Sequence, residues 1–253
     1  MNFRLSEKIF KCHFSIIIFA LLMLSNKSQA QEYKSSPNKV HFIELFSTQS
    51  CSSCPPAQDW ISKLKTNSHL WKTFIPIVYH VDYWNYLGWK DPYSSSQYSQ
   101  RQRDYVAEWF SSTAYTPMFV YDGKEARKEL LSNYNKPGRP VGVLIAKKGN
   151  RGEYDIIFEP IAKYQTPLVI NYAILGSSIK TKITAGENNG VTLKHDFLSL
   201  KMNSKNMKVI GNKYVSKIKI DLKKIQPAPE KAIVFWVSLI NSKMPIQSVG
   251  GIL

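Results

Sequence analysis

The chain has 253 residues and is strongly basic, because 34 Lys and Arg stand against 18 Asp and Glu, for a formal net charge of +16. The lysines are scattered along segments of β pattern, as at 217–219, which favours a solvated basic face over a surface dedicated to anionic envelope partners. No nucleic-acid-binding motif is present, so nucleic acid is excluded as a partner.

The first thirty residues have the pattern of an export signal. Basic residues precede an apolar run at 14–24, and Ser28-Gln-Ala30 supplies a small-x-small cleavage signal. The pattern predicts a signal peptide at 1–30, a periplasmic or secreted protein, and no membrane span after signal cleavage, since a span needs about twenty apolar residues. Cys12 lies within the predicted signal, so the mature chain keeps two cysteines, in a compartment where disulfides persist.

The most informative stretch is a dithiol at a predicted strand-to-helix junction. Residues 40–46 are nearly all apolar and β-prone, and they run into Cys51-Ser-Ser-Cys54-Pro-Pro56, whose prolines suit a first helical turn. This is the thioredoxin-like arrangement, in which helix-terminal amides favour the thiolate of the first cysteine. We predict Cys51 as the attacking sulfur and Cys54 as the resolving one. A structural staple is disfavoured, because so short a loop stabilises by only about 2 kcal/mol.

A metal site at the same cysteines is the second interpretation. Zinc needs about four ligands, and no second Cys-x-x-Cys or histidine cluster completes such a site, so we predict no metal and no cofactor. Copper(I) is the alternative, because two thiolates suit that ion and His80 could complete the site with Cys51 and Cys54.

Residues 74–81 predict the next strand, parallel to the first, and an unusually aromatic stretch follows at 82–93. Trp84 and Trp89 could line a groove beside the dithiol, although simple packing is the alternative for each of them. Residues 94–110 predict a helix.

Thr116-Pro117 precedes a β-prone run that ends in an Asp122-Gly123 hairpin turn. Proline at the entry to a strand is often cis, and in a thioredoxin-like fold the cis proline faces the dithiol while the preceding residue pairs with the substrate. We therefore predict a cis bond before Pro117 and assign substrate binding to Thr116, Pro117 and Trp84.

A linker rich in Asn, Lys, Pro and Gly at 133–140 separates two halves. The fold-class prediction is an α/β thioredoxin-like domain at 38–135, a mixed sheet flanked by helices, followed by an all-β, sandwich-like domain at 140–253. His195 is expected to be a hydrogen-bonded strand residue. The all-β domain is predicted from six runs of β pattern, at 141–147, 154–159, 168–175, 191–195, 214–222 and 232–240.

Several motifs together resemble the secreted thioredoxin-like proteins of the family DUF1223. The resemblance implies the two-domain organisation above but brings no established reaction, substrate or partner. Ser50 departs from the glycine expected before Cys51, and the segment after Gly123 is short for a closing helix. The motifs that carry it are Cys51-Ser-Ser-Cys-Pro-Pro56, His80-Val-Asp-Tyr-Trp84, Leu87-Gly-Trp-Lys-Asp-Pro92, Gln100-Arg-Gln-Arg103, Thr116-Pro117, Gly186-Glu-Asn-Asn-Gly190 and the closing residues 245–253.

The sequence favours an exported thiol-disulfide oxidoreductase that uses Cys51 and Cys54 on protein thiols or disulfides of the cell envelope. Two alternatives stay open: a copper(I)-binding protein, and a non-catalytic envelope binding module whose disulfide only holds a loop.

Overall fold

The computed structural model describes residues 31–127 and 133–253, so the predicted signal peptide and Cys12 lie outside the described residues. In the described part there are two α-helices, α1 at Pro55–Lys63 and α2 at Ser96–Glu108. The strands are β1 Glu32–Lys34, β2 His41–Ser47, β3 Phe74–His80, β4 Met118–Tyr121, β5 Lys124–Ala126, β6 Gly142–Lys148, β7 Glu153–Pro160, β8 Leu168–Ser177, β9 Ile179–Lys182, β10 Thr192–His195, β11 Leu198–Asn206, β12 Lys208–Ile210, β13 Lys213–Lys219, β14 Glu230–Leu239 and β15 Gln247–Ile252.

Eight strands form the largest sheet, in the order β15-β14-β8-β11-β3-β2-β4-β5. Strand β3 is parallel to β2 on one side and to β11 on the other, where Leu198 lies opposite Val78, and the remaining pairs are antiparallel. All seven residues of β3 are buried, as is expected of a strand with neighbours on both sides and cover on both faces.

A five-stranded antiparallel sheet, in the order β1-β6-β7-β13-β12, packs against β14 and β8. Strand β14 is buried on both faces. On one face of this strand, Ile233, Phe235 and Val237 pack in the core between the eight-stranded and the five-stranded sheet. On the other face, Val234 and Trp236 pack in the core that also contains residues of α1 and α2. A two-stranded sheet of β9 and β10 brings a third layer towards α1.

The predicted fold class is wrong. The described chain is mostly β, and strands from both predicted regions, 38–135 and 140–253, join in one eight-stranded sheet. A helix-flanked thioredoxin-like sheet beside a separate β sandwich is therefore not what forms. The physical reason is that the start of β11 pairs with β3 through Leu198 and Val78, so the strands of the second region continue the sheet begun by the first.

Helix α2 is fixed to the sheet by a buried ion pair. Arg101 Nε donates to Glu44 Oε1 over 2.7 Å, and the Tyr105 hydroxyl donates to Glu44 Oε2 over 2.6 Å. The guanidinium also lies over the rings of Tyr79 and Trp236, so the charge is enclosed by aromatic faces. Glu44 is fully buried and Arg101 is 4% exposed, which makes each of them costly to leave without the other.

None of the helices in the described ranges is long and apolar enough to cross a membrane.

Candidate functional site: a buried dithiol

The two cysteines lie where β2 turns into α1. Cys51 follows the strand, and Cys54 is the N-cap residue of the helix, whose first two positions are the prolines predicted from the sequence. Both are free thiols, Cys51 being 3% exposed and Cys54 fully buried. The backbone amide of Cys54 donates to the Cys51 carbonyl over 3.3 Å, which closes the turn between them.

Cys51 lies among hydrogen-bond donors that favour its thiolate. The hydrogen bond from Cys54 is the largest cause, and the hydroxyls of Ser53 and Thr116 add to it against the opposing effect of burial, so that the pKa of Cys51 falls to about 5. The Ser53 hydroxyl is 3.2 Å from the sulfur. The Thr116 hydroxyl is buried and has no competing partner among the described residues, so it is free to turn towards a thiolate.

Cys54 has the opposite character. Its hydrogen bond to Cys51, its burial and the charge of a Cys51 thiolate all raise its pKa, and only hydroxyl donors such as Ser47 lower it. Of the two sulfurs, Cys51 is thus the more acidic and the less buried. The predicted cause, helix-terminal amides, is not the main one, because Pro55 and Pro56 supply no amide hydrogens and side-chain donors dominate.

The segment before β4 approaches the same sulfur. The bond between Thr116 and Pro117 is cis, as predicted, and the Thr116 carbonyl oxygen is 3.8 Å from Cys51 Sγ. Gln102 of α2 holds this segment by donating to the Tyr115 carbonyl over 2.7 Å, and Tyr83 donates to Gln102 Oε1 over 3.1 Å.

A shallow cavity of about 290 Å³ runs along this segment and the start of α1. It is open to solvent and has a mixed apolar and polar wall. Ser53 in its wall stands between the two cysteines in the chain, and Pro117 follows the residue whose carbonyl approaches Cys51. The cavity is lined by Ser53, Pro56, Ala57, Tyr115, Pro117, Phe119, Ala126 and Arg127.

The aromatic stretch after β3 supports the turn that precedes Cys51. Asp91 Oδ2 accepts from the Gln49 amide over 2.8 Å, and the Trp89 indole donates to Gln49 Oε1 over 3.0 Å. The Ser50 hydroxyl donates to the Trp89 carbonyl over 3.0 Å. This serine, a departure from the expected glycine, is therefore a bridge between the two segments.

A turn from the second half of the chain holds the dithiol from the other side. Asn188 donates to the carbonyls of Gln49 and Cys51 over 2.9 and 3.0 Å, and the Glu187 carboxylate accepts from the Ser52 amide over 2.9 Å. The motif at 186–190 thus contacts the backbone on both sides of Cys51, although more than 130 residues separate them.

A buried polar cluster lies beneath the cysteines. Gln58 of α1 contacts His80 of β3 at 3.1 Å, His195 of β10 at 2.5 Å and Ser47 of β2 at 2.6 Å. His195 is a hydrogen-bonded strand residue, as predicted, and burial lowers its pKa to about 3, so it is neutral. Burial alone raises the pKa of Asp91, but contact with His80 and backbone amides outweigh it and the pKa is lowered.

Both ring nitrogens of His80 face protein side chains, because Nδ1 lies 2.7 Å from Asp91 Oδ2 and Nε2 lies 3.1 Å from Gln58 Nε2. Within the described ranges, no group of three or more His, Cys, Asp or Glu side chains is arranged to hold a metal ion. No observation on the site favours the copper(I) interpretation.

The structure brings Cys51, Cys54, Thr116 and Pro117 together but does not join Trp84 to them. Trp84 packs on the core and stacks against Tyr86, with ring centroids 6.3 Å apart. No hydrogen bond or ring contact between described residues links it to the dithiol.

Four supporting residues escaped the sequence analysis: Gln49, Gln58, Tyr83 and Asn188. Gln58 had a usable signal, because it is four positions after Cys54 and so shares its helix face. Tyr83 and Asn188 stand in motifs of the family resemblance without any local signal of their contacts.

Two solved structures share the fold over most of the chain. One is protein AGR_C_4864 from Agrobacterium tumefaciens, with a TM-score of 0.64, 19% identity, and coverage of 87% of this chain and 96% of that one. The other is HBP35 of Porphyromonas gingivalis, with a TM-score of 0.62, 14% identity, and coverage of 87% and 76%. At these identities the likeness concerns the fold alone.

No curated protein matches the sequence. The family model described as "Protein of unknown function (DUF1223)" matches residues 42–238, which include the dithiol, the cis proline and the 186–190 turn. Since that match spans well over half of the 253 residues, the protein belongs to the DUF1223 family.

Proposed function

We propose that this protein is an exported thiol-disulfide oxidoreductase that acts on protein thiols or disulfides in the cell envelope, in the periplasm or outside the cell. The observation that carries the proposal is the asymmetry of the dithiol. Cys51 has a thiolate-stabilising environment and a lowered pKa, whereas its neighbour Cys54 is fully buried and has a raised one. Any thioredoxin-like character is chemical, since it lies in the cysteines and the cis proline and not in the overall fold.

The roles of the two sulfurs follow from this asymmetry. A Cys51 thiolate attacks a substrate disulfide, or a substrate thiolate attacks Cys51 when the pair is oxidised, and Cys54 resolves the mixed disulfide. The cavity beside Pro117 gives the substrate chain a place to lie, and the Thr116 carbonyl is within reach of its backbone.

Trapping of mixed disulfides tests the proposal. In Cys54→Ser the resolving sulfur is lost, so disulfide-linked complexes with envelope proteins should accumulate through Cys51, visible as bands that disappear on reduction. The matched control is Cys51→Ser, which should trap few. Equal trapping by both variants contradicts the assigned roles, and a wild-type pair that stays oxidised in dithiothreitol contradicts redox function.

A further inference from the structure

The buried cluster under the dithiol is a chain of hydrogen bonds whose direction is set at one end. The indole of Trp89 can only donate, and it donates to Gln49 Oε1. The Gln49 amide nitrogen must therefore face its other neighbours, Thr181 Oγ1 and His195 Nε2, each 3.0 Å away. His195 Nε2 is consequently an acceptor.

The acceptor role of Nε2 determines the tautomer of His195. Because its Nε2 accepts, the ring hydrogen is on Nδ1, which donates to Gln58 Oε1 over 2.5 Å. The Gln58 amide nitrogen then donates both of its hydrogens, one to His80 Nε2 over 3.1 Å and one to Ser47 Oγ over 2.6 Å. His80 accepts at Nε2, and its Nδ1 lies 2.7 Å from Asp91 Oδ2. A reversed Gln58 would place its amide hydrogens against the Nδ1 hydrogen of His195.

Ser47 is the last residue in this series of hydrogen bonds towards the cysteines. Its oxygen already accepts from Gln58, so its own hydrogen is left for another acceptor. Ser47 ends β2, and its partner Gln58 lies one helical turn after Cys54, where the Gln58 backbone amide donates to the Cys54 carbonyl over 3.2 Å. The Ser47 hydroxyl is also among the donors that favour the ionised form of the Cys54 sulfur.

We propose that Ser47, oriented by Gln58, donates a hydrogen bond to the Cys54 thiolate as Cys54 resolves a mixed disulfide on Cys51. The inference rests on the proposed function. In the resolving step Cys54 loses its proton to solvent, its electron pair forms the bond to the Cys51 sulfur, and the bond from Cys51 to the substrate sulfur breaks. The substrate leaves as a thiolate and takes a proton from solvent. Gln58 and His195 are positioning residues, since they act only through Ser47.

Ellman's reagent separates the two sulfurs in the full mature chain. A reduced protein releases one nitrothiobenzoate when Cys51 attacks the reagent, and a second when Cys54 attacks the mixed disulfide. In Ser47→Ala the first release should be unchanged, and the second should slow by about threefold to tenfold. The loss of a hydrogen bond raises the pKa of Cys54 and so lowers the fraction of Cys54 thiolate. The remaining thiolate is more basic and therefore more nucleophilic, which offsets part of the loss in rate. Ser47→Thr keeps the hydroxyl and should restore most of the second rate.

Gln58→Glu is the second arm, because the introduced carboxylate accepts from Ser47 and draws its hydrogen away from Cys54. The second release should slow, whereas Gln58→Leu, which leaves the Ser47 hydroxyl free to turn, should slow it less. Ser248→Ala is the matched control: it removes a fully buried hydroxyl that donates to the Val40 carbonyl over 3.1 Å, outside the hydrogen-bond chain.

The outcomes are distinct. Wild-type speed of the second release in both Ser47→Ala and Gln58→Glu, with a normal first release, overturns this inference and leaves the proposed function standing. A wild-type protein that gives no first release refutes the proposed function and this inference with it. Circular dichroism of each variant identifies any that fails to fold, and the remaining arm then decides.

Discussion

The acidity of Cys51 gives the sharpest quantitative prediction. Its pKa is lowered from 9.0 to about 5, and the hydrogen bond from the Cys54 thiol is the largest cause. A hydrogen bond to a charged group contributes roughly 1.5–3 kcal/mol, and one pKa unit corresponds to about 1.4 kcal/mol. Cys54→Ala removes this donor, so the pKa of Cys51 should rise by about 1–2 pH units. Cys54→Ser supplies a hydroxyl in place of the thiol, so the pKa of Cys51 in this variant should stay closer to the wild-type value.

Pulse alkylation with iodoacetamide, followed by mass spectrometry, measures this pKa in the reduced protein. Only the thiolate reacts, so the rate plotted against pH has its midpoint at the pKa of Cys51. We expect a wild-type midpoint near pH 5 and a higher one for Cys54→Ala. Ser53→Ala, which removes a smaller contribution, should fall between them. A wild-type midpoint near 9, or a Cys54→Ala midpoint equal to that of the wild type, refutes the reasoning.

The same pKa has a consequence for the stability of the reduced protein. A pKa that is lower in the folded state favours folding wherever the thiolate is present. That contribution is complete above the unfolded pKa and is lost as the pH falls through the folded pKa of about 5. The oxidised protein has no Cys51 thiolate and lacks this dependence. As the pH falls from about 9 to about 5, the free energy of unfolding of the reduced protein should therefore fall relative to that of the oxidised protein.

Three further predictions concern support and export. Arg101→Ala leaves the Glu44 carboxylate buried without its partner, so the free energy of unfolding in urea should fall by about 3–5 kcal/mol, and a loss below about 1 kcal/mol contradicts the role of the pair. Asn188→Ala removes two hydrogen bonds next to Cys51, so the free energy of unfolding should fall by about 1–3 kcal/mol. Hydrogen exchange in the turn before α1 should become faster, and unchanged exchange contradicts this role of Asn188. Cleavage after Ala30 should be visible by N-terminal sequencing of the exported protein, and a retained N-terminus contradicts export by this signal.

The local elements were predictable because their patterns are strong. Residues 40–46 and 74–81 correspond to β2 and β3, the helix predicted to begin at the two prolines corresponds to α1, and that at 94–110 contains α2. Periodicity identifies such segments because each buries one continuous face. The cis bond before Pro117 was predictable from position, because this proline enters a strand downstream of the dithiol, where a thioredoxin-like arrangement has a cis proline.

The sheet order was not predictable, since it depends on a strand that the pattern hides. Strand β11 begins with Leu198 and Ser199 buried, but its second half, 203–206, is exposed, so no alternation extends along it. The pairing of Leu198 with Val78 joins segments 120 residues apart, and nothing local specifies it. Without β11, two independent domains were the simplest arrangement of the predicted elements.

The same long-range pairing explains why the site residues were only partly predictable. Strand β11 places the second half of the chain against β3, and from there β10 carries His195 under α1 while the 186–190 turn reaches the backbone of Cys51. The cysteines have a local signature because their chemistry requires a fixed spacing. The residues that orient them have none, because a hydrogen bond constrains position in space and leaves sequence separation free. A dithiol supported in this way depends on both halves of the chain, so its reactivity is a property of the whole sheet and not of the Cys-x-x-Cys motif alone.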